Sequence, residues 1–271
     1  MKILEVKNLN VWDTHTGRII VHNTSFKLEE GRCLAIVGES GSGKSVTCRA
    51  IMKLNKRSLQ QTGEIFLKNE GLHQLSERQM RRKRGKHLYM ILQNGMTAFD
   101  PSCVIKVHLQ ETLQTHFDWK EKEIEQKMIQ AMESVNLKNA KELMHKYPHQ
   151  LSGGMLQRIM IALALVLEPD VLIADEPTTA LDTISQYEVV EQLMKIRQNM
   201  KSAIIFISHD LGIVQKIADE VLVMKDGEVV EQDDTQTIFV NPQHEYTKYL
   251  INTRRALSDN FKNVMRESLY C

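Results

Sequence analysis

The sequence predicts an α/β protein built on a parallel sheet, and three observations carry that expectation. Cys33 to Val37, Val171 to Ala174 and Ala203 to Ile207 are near-continuous apolar runs bounded by polar residues, as strands covered on both faces require. Each run gives way at once to glycine or polar residues: Gly38 onward, Asp175 with Glu176, and Ser208 with His209. In open α/β sheets ligands sit off the carboxyl ends of the strands, so these clusters are expected to converge on one site. The texture changes from Phe99 to Pro148, where strand alternation is lacking and Ile124, Met128, Met132 and Val135 mark one face of an amphipathic helix. That stripe reads as the core-facing side of an additional helical layer.

Taken in order, the first strand leads into Gly38-Glu39-Ser40-Gly41-Ser42-Gly43-Lys44-Ser45, followed by a helix-compatible run from Val46 to Leu54. Strand, G-x-x-x-x-G-K-[ST] and helix in that order make a phosphate-binding P-loop. Its glycines allow consecutive backbone N–H groups to point at phosphate oxygens, and the helix adds its positive N-terminus. Lys44 is expected to reach the β- and γ-phosphates, and the Ser45 hydroxyl to bind Mg²⁺. A second helix is predicted from Gly153 to Leu167. The next strand ends in two adjacent carboxylates, which need different roles because like charges side by side are costly. Asp175 is expected in the Mg²⁺ shell, leaving Glu176 to act as general base on the attacking water or to orient it. His209 ends the third strand, where an imidazole either satisfies the structure or positions a water at the γ-phosphate. Near the C-terminus, Val221 to Met224 and Val229-Val230 flank Asp226-Gly227, a hairpin pattern.

Composition narrows the class. The 271 residues suit one large domain or two small ones, and 42% hydrophobic with 25% charged residues is an ordinary globular balance. Lys and Arg total 35 against 34 Asp and Glu, which argues against a dedicated nucleic-acid binder. The basic stretch Arg78 to Lys86 reads as a solvated face, with a nucleic-acid or membrane-surface patch as the alternative. The longest apolar run, Ile159 to Leu167, falls well short of the roughly 20 residues of a spanning helix. Glu5 and Lys7 interrupt the N-terminus before a secretion signal can form. Cys33, Cys48, Cys103 and Cys271 show no metal-ligand spacing and are expected to be reduced thiols in a cytosol.

Leu151-Ser152-Gly153-Gly154-Met155-Leu156-Gln157-Arg158, lying between the P-loop and Asp175, resembles the signature motif of ATP-binding cassette proteins. With it, Gln93 resembles the Q-loop glutamine, Thr179-Ala180-Leu181-Asp182 the D-loop, and His209 the switch histidine. Trp12 is similar to the aromatic that stacks on adenine, packing being the alternative. The resemblance covers nearly the whole chain. It narrows to the ATPase subunits of peptide and nickel importers through Glu39-Ser40, Gly154-Met155-Leu156-Gln157 and Asn241-Pro242-Gln243-His244-Glu245-Tyr246-Thr247, with Met90 to Pro101 most similar to nickel and metallophore members. Two departures stand out: Asn94-Gly95 follows the Q-loop glutamine in place of an acidic or Asn-Pro step, and the cysteine-rich extension of some peptide-importer ATPases is missing.

The resemblance implies a P-loop NTPase core with an N-terminal antiparallel β subdomain and an α-helical subdomain over 94–166, with 235–271 as a C-terminal tail region. It implies an ATPase with ATP and Mg²⁺ as cofactors. Glu176, His209, Gln93 and Lys44 would be catalytic, and Ser45, Gln93 and Asp175 would hold the metal. The P-loop, Trp12, Ser152, Gly153, Gly154, Gln157 and Asp182 would bind nucleotide. Two cassettes close head to tail in this family, so the signature serves the ATP of the opposite chain. The implied partners are a related second ATPase, two membrane permeases and, indirectly, an extracytoplasmic substrate-binding protein, placing the chain on the cytoplasmic face of the membrane. Nickel or a chelated metal is the expected cargo. A peptide importer and a non-transport cassette ATPase are the alternatives, but the stretch 45–151 leaves no room for the long coiled coil of repair and chromosome ATPases.

Overall fold

A computed structural model describes residues 1–178 and 183–253. The D-loop residues Thr179 to Asp182, and Cys271, lie outside the described residues. The chain opens with a long antiparallel pair, β1 (Lys2–Asp13) and β2 (Ile19–Glu29), followed by the first core strand β3 (Cys33–Val37) and helix α1 (Lys44–Ile51). Strands β4 (Leu59–Leu67) and β5 (Glu70–Gly71) return to the first pair, completing a four-stranded sheet ordered β2-β1-β4-β5.

Helix α2 (Glu77–Lys83) then leads to β6 (Leu88–Ile91), which enters the second sheet. Met80 is the one buried side chain of α2, and the cations around it face outward or find partners. Lys83 pairs with Glu70, and Arg84 donates to the carbonyls of Met52 and Lys53 while pairing with Glu77. The basic stretch thus serves as a solvated and locally paired surface.

The helical layer comprises α3 (Ile105–His116), α4 (Glu121–Ser134), α5 (Ala140–Met144) and α6 (Gly153–Leu167). The predicted stripe holds: Ile124, Met128 and Met132 are buried on α4, and Val135 is buried just past its end. The chain continues through β7 (Val171–Asp175), α7 (Thr183–Met200), β8 (Ala203–Ile207) and α8 (Leu211–Ile217). It closes with the hairpin β9 (Glu220–Lys225) and β10 (Glu228–Asp234), helix α9 (Thr235–Val240) and helical backbone over 245–253. Asp226 and Gly227 both take positive φ, as a two-residue primed turn demands.

The second sheet runs β10-β9-β3-β8-β7-β6, with every neighbouring pair parallel except the terminal hairpin. The two-residue period of its strands divides the core. Cys33, Ala35 and Val37 of β3, with Leu172 and Ala174 of β7, face the layer that includes α4 and α6. Leu34, Ile36, Val171 and Ile173 face the antiparallel sheet and α1. Both faces are therefore covered, which is why these strands are continuous apolar runs. Cys33 and Cys48 are buried free thiols whose burial pushes their ionisation up, while Cys103 is half-buried. Among the described residues, no helix is long and apolar enough to cross a membrane.

Candidate functional site

The sheet order β6-β7-β8-β3 sets four carboxyl strand ends side by side, so Gln93, Asp175-Glu176, Ser208-His209 and the P-loop meet across one edge. They enclose a cleft of about 420 Å³ whose lining includes Ser40, Lys44, Ser45, Gln93, Glu176 and His209. The three clusters predicted from the apolar runs do converge. β6 is the addition: four residues were too short a run to declare a strand, yet it delivers Gln93.

The P-loop owes its path to close backbone approach. At Gly38 φ is +150°, and an added Cβ would lie 2.1 Å from the Met224 carbonyl oxygen. Gly43 caps α1 in the left-handed region at φ +99°, with the Ile20 carbonyl oxygen 3.0 Å from where a Cβ would sit. Behind the loop, the Gly227 N–H donates to the Ser42 carbonyl at 3.2 Å, and the Glu39 N–H donates to Tyr246 Oη at 2.9 Å.

Lys44 is only 4% exposed, and its Nζ donates to the carbonyls of Gly38 at 2.9 Å and Glu39 at 2.7 Å. Burial lowers its pKa, while Glu176, Asp175 and Glu39 work to keep it protonated. Ser45 Oγ donates to Asp175 Oδ1 at 2.7 Å. The other carboxylate oxygen, Asp175 Oδ2, is buried without a hydrogen bond and has Arg49 Nη2 at 3.8 Å, a charge contact too long for one. Burial raises the Asp175 pKa against the opposing pull of Ser45 and Arg49. A hydroxyl next to an unmatched carboxylate oxygen is a hard-oxygen donor set, and it fits Mg²⁺.

The raised pKa has a sign. An aspartate whose folded pKa lies above its unfolded value holds more protons folded than unfolded. Its contribution to stability is present below the unfolded pKa and is lost as pH rises through the folded one. Near neutrality Asp175 thus burdens the unliganded fold, and a cation relieves it. Asp175→Asn is expected to raise the melting temperature without nucleotide and to weaken Mg²⁺ dependence of turnover by about 10–100-fold or more. Calorimetry beside a Mg²⁺ titration of phosphate release checks both; an unchanged Mg²⁺ requirement would remove Asp175 from the metal shell.

Glu176 follows in the left-handed region at φ +49°, with its N–H on the Ile207 carbonyl at 3.1 Å. A non-glycine residue there costs about 1–3 kcal/mol and persists only where its surroundings over-determine it. The turn separates the two carboxylates, sending Asp175 toward Ser45 and Glu176 into the cleft. Glu176 is 7% exposed. Its Oε1 meets His209 Nε2, and its Oε2 accepts from Gln93 Nε2 at 2.7 Å. One carboxylate thus links two other strand ends.

Ser152 of the signature is the N-cap of α6, its Oγ accepting from the Met155 N–H at 3.2 Å, with Ser152 and Gly153 exposed. No residue of the signature lines the P-loop cleft. Gln157 turns inward: it is buried, and its Nε2 donates to the Leu92 carbonyl at 3.4 Å, joining α6 to the strand end before Gln93. Trp12 pairs with Ile19 across β1 and β2, beside Ile20 of the cleft, but does not itself line it. Reading the sequence overlooked Arg49, although its place four residues after Ser45 on one helix was legible. It also gave Tyr246 no role.

A family profile described as ABC transporter matches residues 21–179. The chain is 46% identical over 270 residues to the metal-staphylopine import ATP-binding protein CntD of Staphylococcus aureus, covering all of both chains. It is 43% identical over 256 residues to the dipeptide transport ATP-binding protein DppD of Lactococcus lactis subsp. cremoris, covering 93% of this chain and 73% of that one. Among solved structures, a dimeric ATP-binding cassette in a post-hydrolysis state bound to ADP and phosphate superposes with a TM-score of 0.77 at 24% identity, over 86% of this chain and 99% of that one. The cbiO1 subunit of Clostridium perfringens, part of an ABC transporter complex, gives 0.74 at 25% identity over 98% and 99%.

Proposed function

Because this chain belongs to the ABC transporter family, we propose that it is the ATP-binding and hydrolysing subunit powering a multi-subunit importer of nickel or chelated metal ions. The observation that carries the cargo class is the likeness to a metal-staphylopine import ATPase along the entire chain. The dipeptide relative favours peptide import as a second reading, at lower identity over less of both chains.

The cleft supports a division of labour. Backbone amides of the P-loop and Lys44 hold the β- and γ-phosphates. To do so Lys44 exchanges two carbonyl partners for phosphate oxygens, an exchange favoured because phosphate restores the charge that burial disfavours. Ser45 and Asp175 would hold Mg²⁺, which supplies charge neutralisation for the phosphates. Glu176 takes a proton from the attacking water, while His209 and Gln93 fix its two oxygens. The signature of one subunit then serves the ATP of the other: Ser152, Gly153 and Gly154 offer donors at an exposed helix N-terminus, and within this chain they do not reach the cleft. ATP thus joins two cassettes, and hydrolysis releases them.

A related second ATPase, rather than a second copy, is the proposed partner. Two permeases would dock on the helical layer, and an extracytoplasmic binding protein would deliver cargo, with this chain at the cytoplasmic membrane face. Gln93 is suited to couple the layers, since it touches Glu176 while Gln157 of α6 holds the residue before it. Deleting the subunit is expected to abolish uptake of radioactive nickel or its chelate and to leave dipeptide uptake unchanged. The reverse pattern would establish the peptide reading.

A further inference from the structure

We propose that Tyr246 is a positioning residue for nucleotide binding, tethering the P-loop from behind through the Glu39 peptide. The proposal rests on residues 38–45 being the ATP cradle. Tyr246 lies 207 residues from Glu39 in sequence, and its Oη accepts the Glu39 N–H at 2.9 Å. The Glu39 carbonyl accepts from Lys44 Nζ at 2.7 Å. The Gly38 carbonyl, which shares its peptide unit with the Glu39 N–H, also accepts from Lys44 Nζ at 2.9 Å, so Tyr246 restrains a peptide unit on which the phosphate-binding lysine rests.

The tether is itself anchored. Tyr246 is 7% exposed and Thr247 1%, and the Lys225 ammonium lies over the phenol ring, 5.2 Å from its centroid. The segment ahead of it is pinned where the Glu231 carboxylate of β10 accepts the N–H groups of Gln243 at 2.7 Å and His244 at 3.1 Å. The Tyr246 N–H in turn donates to His244 Nδ1 at 3.1 Å. Lys225 adjoins the Asp226-Gly227 turn, whose Gly227 N–H holds Ser42. The loop is thus held from behind at Glu39 by Tyr246 and at Ser42 by Gly227, and the first contact gives Asn241 to Thr247 a physical task.

An untethered loop samples arrangements in which its amides no longer converge. Apparent affinity then falls by the fraction of molecules that remain competent. Tyr246→Phe deletes only the hydroxyl and keeps the ring beneath Lys225. In the full chain we expect it to raise the Kd for ATP, followed with a fluorescent ATP analogue, by about three- to tenfold, the worth of one neutral hydrogen bond. In the assembled transporter the change is expected in KM rather than kcat, with the nucleotide-free melting temperature lowered by no more than about 2–4 °C, as loss of one hydrogen bond allows. Wild-type affinity in Tyr246→Phe overturns the proposal, and so does a lowered melting temperature with unchanged affinity, which marks a packing residue only. Lys44→Ala, measured alongside, separates the two layers of the argument. If it alone weakens binding, the cradle reading stands and the tether falls; if neither variant does, the cradle reading has failed.

Discussion

Glu176→Gln is expected to retain ATP binding and to lower steady-state phosphate release by about 10²–10⁴-fold, the usual worth of a positioned general base. Glutamine matches glutamate in shape but cannot accept the proton of the attacking water. It also cannot reproduce the present pairing, because one end of its amide is a donor while both His209 Nε2 and Gln93 Nε2 converge on the carboxylate. Electrostatics favour retained or tighter ATP binding, since a carboxylate beside the γ-phosphate position opposes the nucleotide's own charge. The variant should therefore accumulate the ATP-bound closed dimer. Size-exclusion chromatography with the partner ATPase, together with phosphate release in the assembled transporter, checks both halves. Wild-type turnover would take Glu176 out of the base role.

Lys44→Ala is expected to abolish measurable turnover and to weaken ATP binding by at least about 10²-fold, the scale of removing one partner from a buried charge pair. The unliganded structure sets a control on this result. Lys44 Nζ now satisfies the carbonyls of Gly38 and Glu39, so truncation strips two acceptors of a partner at the start of the loop. Loss of function with an unchanged melting temperature assigns the effect to the missing cation. Isothermal titration with ATP at fixed Mg²⁺ measures it, and unchanged affinity and rate would remove Lys44 from the cradle.

Most of the site was legible where chemistry depends on adjacent residues. The P-loop was readable because loop conformation, amide direction and the following helix are local consequences of Gly38 to Ser45. Asp175 and Glu176 were readable because two carboxylates at the end of an apolar strand demand divided roles. Of the fold, β3, β7, β8, the α4 stripe, α6 and the terminal hairpin were visible through period and turn chemistry. β6 was not, being only four residues long. The antiparallel sheet came only through family likeness. Gln157 shows the limit of motif transfer: its place in the signature marks it for nucleotide, while its buried amide is spent on the Leu92 carbonyl.

By itself, then, the sequence determined which residues carry charge, hydroxyl and backbone donors to strand ends, because strand, loop and helix preferences act over a few neighbouring residues. Only the tertiary structure decided who meets whom. Gln93 reaches Glu176 across 83 positions, Ser45 reaches Asp175 across 130, and Tyr246 reaches Glu39 across 207. Those meetings follow from the order β6-β7-β8-β3-β9, in which neighbours in space are distant in sequence. The physical reason is that burial on both faces rewards every such strand alike, so apolar pattern alone does not choose their order. The order is chosen by the crossovers and helical layers packing over the sheet, and with it the pairing of Glu176 with His209 and Gln93.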